Sequence, residues 1–354
     1  MAITKIPAAG FTGNNFRNII INGDMSIAQR STSVASITTG GYKTVDRFPL
    51  NLDLGTWTQS QSTDVPTGQG FAKSFKMDCT TANASPSAAI LAAVRTKIEG
   101  QNLQYLKKGT ANAESTTLSF WVKSNKTGTY IAELVDNDNS RQISASYTVD
   151  VTDTWEKKTI TFPGDTSGAF GNDNGASLEL HFWLGGGSNY TSGTLSTSWS
   201  SITQANRAVG QVNLADSTDN EWYITGVQLE AGTSASDFEF LPHDVNLARC
   251  QRYFQSLNGA TGTLIGSGIT KTSTTSRVYV NFINPMRSSP TATFSTLAIS
   301  DAVNYGPAVT SIDSIISGIT SARLDLIHAS GASALRSALF QVNSSGYLNL
   351  SSEL

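Results

Sequence analysis

Three histidines (His181, His243, His328) are the only imidazole bases, and two cysteines (Cys79, Cys250) the only thiols, that this chain of 354 residues offers for nucleophilic or transition-metal chemistry. Nucleophilic catalysis needs a Ser or Cys beside a His that a third group orients. No histidine here lies near a GxSxG elbow, which is absent. His243 follows Pro242 at a domain junction and reads as a surface or capping residue, and His328 ends a strand pattern. Neither HExxH nor a Cys/His metal spacing occurs, so the cysteines read as buried thiols. In the turn DNDN, Asp136, Asp138 and Asn139 could offer oxygens to Ca²⁺, but the Gly and terminal Glu of an EF-hand loop are missing, which leaves a solvated turn. Gly185–Gly187 and the glycines at 259, 262, 266 and 268 match no phosphate-cradling motif. No metal and no cofactor are expected. Glycoside hydrolysis needs only a carboxylate pair, for which Glu133, Glu179 and Asp237 are available, yet outward carboxylates ordinarily serve solubility. The expectation is a protein without enzymatic activity, with a polysaccharide-cleaving enzyme as the alternative.

The positive signal is aromatic. If Leu118, Phe120 and Val122 face a core, Trp121 faces away from it; if Leu180 and Phe182 face inward, then Glu179, His181 and Trp183 face outward. Trp57, and Tyr190 and Trp199 in the Ser/Gly-rich stretch Gly185–Ser201, could add to a loop-borne site. Exposed rings stack on sugars, and the same rings buried between subunits act as anchors. Three readings stay open: a subunit or virion interface, a glycan platform, or a second layer covered by loops. On the first two, Trp183→Ala weakens assembly or binding more than folding.

These residues sit in a pattern of short strands. FAKSFKMDC, TLSFWVKS, ISASYTVDV, SLELHFWL and EWYITGVQL alternate with period 2 and are separated by turns rich in Gly, Asn and Asp. Ile19–Ile21 before Asn22-Gly23, with Met25 and Ile27 after it, reads as strand, turn or bulge, and strand. GQNLQYLKKG is the interior helical candidate, and Asp244 is placed to cap a helix running through Phe254. The C-terminal strands include SARLDLIHA and SALFQVNSSGYLNL, the latter reading as a hairpin turned at Ser344-Ser345-Gly346. The expected fold is all-β: an antiparallel jelly-roll-type β-sandwich, then a second smaller β-sandwich domain, with an extended N-terminal arm. The expected domains are 1–40 (arm and first strands), 41–243 (sandwich), 244–256 (connector helix) and 257–354 (C-terminal β-domain).

Composition narrows the partners. Charged residues make up 14% of the chain, Ser and Thr about a quarter, and the net charge is −3. No Lys/Arg block exceeds a pair, so no footprint for a polyanionic backbone exists and nucleic acid is not an expected partner. Lys5 is followed by IPAAGF, short of the roughly 7–15 apolar residues of a signal-peptide core. No run of about 20 apolar residues occurs, so membrane insertion is not expected.

RNIIINGDMSIAQR (Arg17–Arg30), GYKTVDRF (Gly41–Phe48), EGQNLQYLKKGTANAESTTLSFWVKSNKTGTY (Glu99–Tyr130), GVQLE (Gly226–Glu230) and CQRYF (Cys250–Phe254) together resemble tail-fibre and minor tail structural proteins of marine, short-tailed-type bacteriophages. The resemblance covers roughly residues 15–254. It implies a carbohydrate-binding-module-like sandwich closed by GVQLE and CQRYF, followed by a variable distal domain. It further implies a virion structural protein assembled in the host cytoplasm. Its N-terminal arm would attach to other tail or capsid proteins, its distal domain would meet a host glycan or receptor, and it would act as a homo-oligomer, commonly a trimer. Without a coiled-coil shaft, a compact appendage fits better than a long fibre, and a structural adaptor or decoration protein is a further reading. A free carbohydrate-binding module of a bacterial hydrolase is weaker, since it would bring a catalytic domain or a secretion signal.

Overall fold

A computed structural model of the chain describes residues 16–301 and 305–354. The arm expected over residues 1–15 lies outside the described residues. The chain forms two compact units. The first draws on 16–25, Ala35–Gly41 and Phe48–Leu241, and the second on Ser26–Val34, Tyr42–Arg47 and Pro242–Leu354.

The first unit is an antiparallel sandwich of twelve strands: β1 (Ser33–Ile37), β2 (Leu50–Leu52), β3 (Thr56–Ser62), β4 (Ser74–Thr81), β5 (Leu91–Glu99), β6 (Thr116–Ser124), β7 (Gly128–Asp136), β8 (Arg141–Val149), β9 (Glu156–Phe162), β10 (Ala176–Gly186), β11 (Ser200–Ser201) and β12 (Glu221–Ala231). One sheet has the order β1-β3-β4-β12-β6-β9 and the other β11-β8-β7-β10-β5-β2. The alternation read from sequence sets the core, with Phe75, Met77, Leu118, Phe120, Val122, Tyr147, Leu180 and Phe182 all buried. Phe120 bridges the sheets: its ring centroid lies 5.0 Å from that of Tyr147 and 5.1 Å from that of Phe182, both edge-on. GQNLQYLKKG forms two short 3₁₀ turns, Gly100–Asn102 and Gln104–Leu106, rather than one α-helix.

Two of the quoted stretches close this sandwich by gripping each other. Asn22-Gly23 makes a turn, but no strand flanks it, because Asn18 takes over the hydrogen bonding that a strand partner would supply. Its Oδ1 accepts from the N–H of Ile20 and Leu229, and its Nδ2 donates to the Val227 carbonyl. At Gly23 a Cβ would stand 2.0 Å from the Val227 oxygen, so only glycine lets the two backbones meet. Gly226 has φ of +63° at a bulge in β12 and lies under the Phe71 ring. Beyond the bulge, buried Gln228 donates to Glu230, Ser236 and the Asp237 carbonyl, and Glu230 accepts from the Ser236 N–H and hydroxyl. GVQLE is thus a backbone bulge followed by a polar staple for the next loop.

The second unit opens with a helix at His243–Gln251, whose first turn holds Asp244. Asp244 is not the cap, since the residue before the helix is Pro242, and Phe254 falls outside the helix and begins the next strand. Seven strands follow: β13 (Phe254–Asn258), β14 (Leu264–Thr270), β15 (Thr275–Asn281), β16 (Thr291–Asp301), β17 (Tyr305–Ser317), β18 (Ser321–His328) and β19 (Ser337–Ser351). The sheet closes on itself because β19 pairs with β13 and β14 along one edge and with β16 along the other. The expected hairpin at 344–346 is a bulge inside one continuous strand, with Ser344 and Ser345 at φ of 46° and 60°. The reason is pairing: β16 keeps β19 in register on both sides of the bulge, so the chain bends without reversing. The interior is apolar, with Val278, Val280, Leu324, Leu326, Phe340, Val342, Leu348 and Leu350 buried. The stretches Ser26–Val34 and Tyr42–Arg47 join this unit through aromatic residues of CQRYF. Arg30 lies 3.6 Å over the Phe254 ring and Arg47 3.5 Å over Tyr253, while both arginines also pair with Glu353.

Candidate functional site

The site is built on the outward face of the second sheet of the first unit, where β5, β10 and β7 lie side by side. Register places His181 between Arg95 of β5 and Glu133 of β7, and Glu179 between Lys97 and Val135. Period-2 alternation turns Phe182 into the core and Glu179, His181 and Trp183 to the other side.

The polar groups on this face form one connected network. Glu179 accepts from Arg95 (3.4 Å) and Asn137 (3.1 Å), lies 3.7 Å from Lys97, and pairs with His181 Nε2 at 2.9 Å. Glu133, fully buried, takes Nε and Nη2 of Arg207 at 2.8 and 3.0 Å and the indole N–H of Trp183 at 2.9 Å. His181 Nδ1 is shut off from water 3.8 Å from Glu133, with no hydrogen-bond partner. Burial lowers the His181 pKa against the opposing pull of Glu179 and Glu133, and its Nε2–H donates to the Glu179 carboxylate. Burial alone would raise Glu179, but the His181 hydrogen bond and the charges of His181, Arg95 and Lys97 outweigh it and hold the carboxyl at about 2. Three basic side chains, Arg95, Lys97 and Arg207, thus stand against two acidic ones, Glu133 and Glu179. The side chains of Arg95 and Lys97 keep 23% and 19% of their surface in solvent.

The seven residues singled out from sequence divide. Glu179, His181, Trp183 and Tyr190 come together here. Trp183 does point away from the sandwich core, but it is buried, not an exposed platform, because Tyr190 (5.4 Å), Leu195 and Ala208 of the segment after β10 fold over it. Trp57 is also buried, on the other sheet, its indole donating to the Leu54 carbonyl. Trp121 is half-buried on β6 and so belongs to the first sheet, opposite Thr225 and Lys157, on a different face from Trp183. Trp199 lines an apolar cleft of about 310 Å³ with Leu106, Lys108 and Phe170, and its indole donates to the Pro163 carbonyl. Sequence reading missed Arg95, Lys97 and Arg207. The first two alternate in AVRTKIE with the period of a strand, a signal that was available; Arg207 had none.

Beside that cleft the Asp136 turn is settled by an ammonium group. Lys108 Nζ lies 2.6 Å from Asp136, 3.0 Å from Asp165, and 2.8 Å from each of the Ser167 and Gly168 carbonyls. Among the described residues no group of three His, Cys, Asp or Glu side chains is placed to hold a metal ion.

No protein-family profile matches the chain, and no curated protein matches it. Among solved structures it is similar to the enzymatically active domain of tailspike protein 4 of bacteriophage CBA120, at 18% identity and a TM-score of 0.33 over 61% of this chain and 22% of that one. The chain thus spans less than a quarter of that tailspike domain's length. It is also similar to a putative sugar binding protein from Bacteroides thetaiotaomicron (10% identity, TM-score 0.31, 60% of this chain and 99% of that one). A third is the N-terminal cellulose-binding domain of β-1,4-glucanase C from Cellulomonas fimi (14%, 0.27, 59% and 100%).

Proposed function

We propose that this protein is a non-enzymatic virion structural protein of a bacteriophage, a tail fibre or compact tail or capsid appendage that attaches to host-surface glycan. The sheet face around Glu179 makes the contact. One observation carries this reading: Arg95 and Lys97, partly open, stand at fixed register beside the buried Glu179 of the adjacent strand, next to His181 and Trp183 that are already locked in place. A guanidinium, an ammonium and a carboxylate on a rigid sheet suit the hydroxyls and acidic groups of a saccharide, and the two partly open basic side chains favour an acidic one. In this reading the ionised Glu179 carboxylate accepts from sugar hydroxyls and is not the protonated acid of a glycosidase. Mounting through the N-terminal arm and a trimeric state rest on the resemblance of the quoted motifs to phage tail proteins.

The test is binding of labelled protein to intact host cells before and after periodate oxidation, with a reducing-end assay in parallel. Saturable binding that oxidation abolishes, and that Arg95→Ala with Lys97→Ala weakens in protein still folded by circular dichroism, is the expected result. Release of reducing ends would overturn the non-enzymatic reading. Binding indifferent to oxidation would overturn the glycan reading.

A further inference from the structure

The second unit holds a polar cleft of about 340 Å³ that the proposed function does not use, lined by Gln29, Arg30, Ser256, Asn258, Tyr347 and Asn349 among others. Its floor is set by strand register. Ser256 lies opposite Asn349, and Asn258 opposite Tyr347, so four side chains of β13 and β19 stand on one face in a two-by-two array. The cleft opens beside the bulge at Ser344–Ser345, where β19 exchanges β14 for β13 along one edge.

The chemistry of the lining is specific. Three amides, two serine hydroxyls and an exposed phenol ring line the space, and the Asn349 Oδ1 has no hydrogen-bond partner. Tyr347 keeps 37% of its surface exposed. The one charged residue of the lining is already neutralised, since Arg30 pairs with Glu353 at 3.0 Å and Asp46 at 3.6 Å and lies flat on Phe254. Gln29 is held by Asp46 and by the Phe254 carbonyl, which fixes the wall without removing all of its polarity. Amides that donate and accept in pairs match adjacent sugar hydroxyls, and an aromatic ring beside them offers a stacking surface. A phosphate or uronate would instead want an uncommitted cation, and this lining holds none.

We infer that this cleft is a second saccharide site, for an uncharged sugar, with Tyr347 as the stacking ring and Asn258 and Asn349 reading hydroxyls. It is independent of the charged face of the first unit. The experiment is saturation-transfer NMR and calorimetric titration of the full chain with lactose, cellobiose, maltose and chitobiose. Saturable binding of at least one is expected, weakened about tenfold or more by Tyr347→Ala and by Asn349→Ala, kept by Tyr347→Phe, and unmoved by Glu179→Gln. Because Tyr347 is a surface residue, Asn258→Ala serves as a second variant should Tyr347→Ala lower the yield of folded protein. No binding of any of the four sugars, binding that survives Tyr347→Ala, or binding that falls with Glu179→Gln instead would each overturn the inference.

Discussion

Lys108 shows how a single buried ammonium group can tie a strand end to a loop in a sandwich. Its ammonium group sits among two carboxylates and two carbonyls, 4% exposed, and ties Asp136 at the end of β7 to the loop carrying Asp165. Removing one partner of such a buried pair strands the other charges. Lys108→Met is therefore expected to cost about 3–5 kcal/mol, read as a drop in the urea midpoint. Trp183→Ala belongs to the same scale. With the ring 1% exposed and bonded to Glu133, the loss should be about 3–5 kcal/mol of stability, seen as lower soluble yield and thermal midpoint. This reverses the expectation that Trp183 acts in binding before folding. The pH dependence contributed by Glu179 and that contributed by Asp46 should differ in sign. Glu179 is held at about 2 against 4.5 when unfolded, so its contribution is complete above 4.5 and is lost as pH falls toward 2. Asp46 of the second unit is pushed up to about 6 from 3.8 by burial, so its ionisation weakens the fold as pH rises from 3.8 through 6. Stability curves of Glu179→Gln and Asp46→Asn between pH 2 and about 7 should each lose the corresponding slope.

At the scale of elements, alternation was legible and partnership was not. The buried rows of β4, β6, β8 and β10 could be read from period 2, because each strand buries one face against the opposite sheet. What alternation does not encode is which sheet a strand joins. Trp121 and Trp183 looked alike from sequence, yet β6 and β10 lie in different sheets. Nor does it encode what later covers an outward face. The lid over Trp183 comes from residues 187–208, a Ser/Gly-rich stretch without periodicity, so the network of Glu133, His181 and Arg207 had no local signal in full. Gly226 tests the bulge of β12. Gly226→Ala must place a Cβ 2.6 Å from the Phe71 ring on a left-handed backbone, which costs at least about 1 kcal/mol from the backbone alone. Hydrogen exchange in the 232–240 loop, which Gln228 and Glu230 hold, should rise in that variant while β7 and β10 stay protected.

For the whole molecule the telling fact is how the units share the chain. The second unit needs Ser26–Val34 and Tyr42–Arg47 as well as everything from Pro242 onward. A fragment beginning at Pro242 would leave Glu353 without Arg30 and Arg47, and Tyr253 and Phe254 without the guanidinium groups that cover them. That fragment is expected to melt well below the same unit in the full chain, as circular dichroism would report.

The same arrangement has a consequence in time. During synthesis the early pieces of the second unit leave the ribosome about two hundred residues before their partners, a wait of roughly ten to forty seconds at 5–20 residues per second. For that interval Arg30, Asp46 and Arg47 have no native neighbours from CQRYF or the C-terminus, while the residues of the first unit are completed. Slowing translation should leave the first unit unaffected and lengthen the period in which these two short stretches are open to chaperones and proteases.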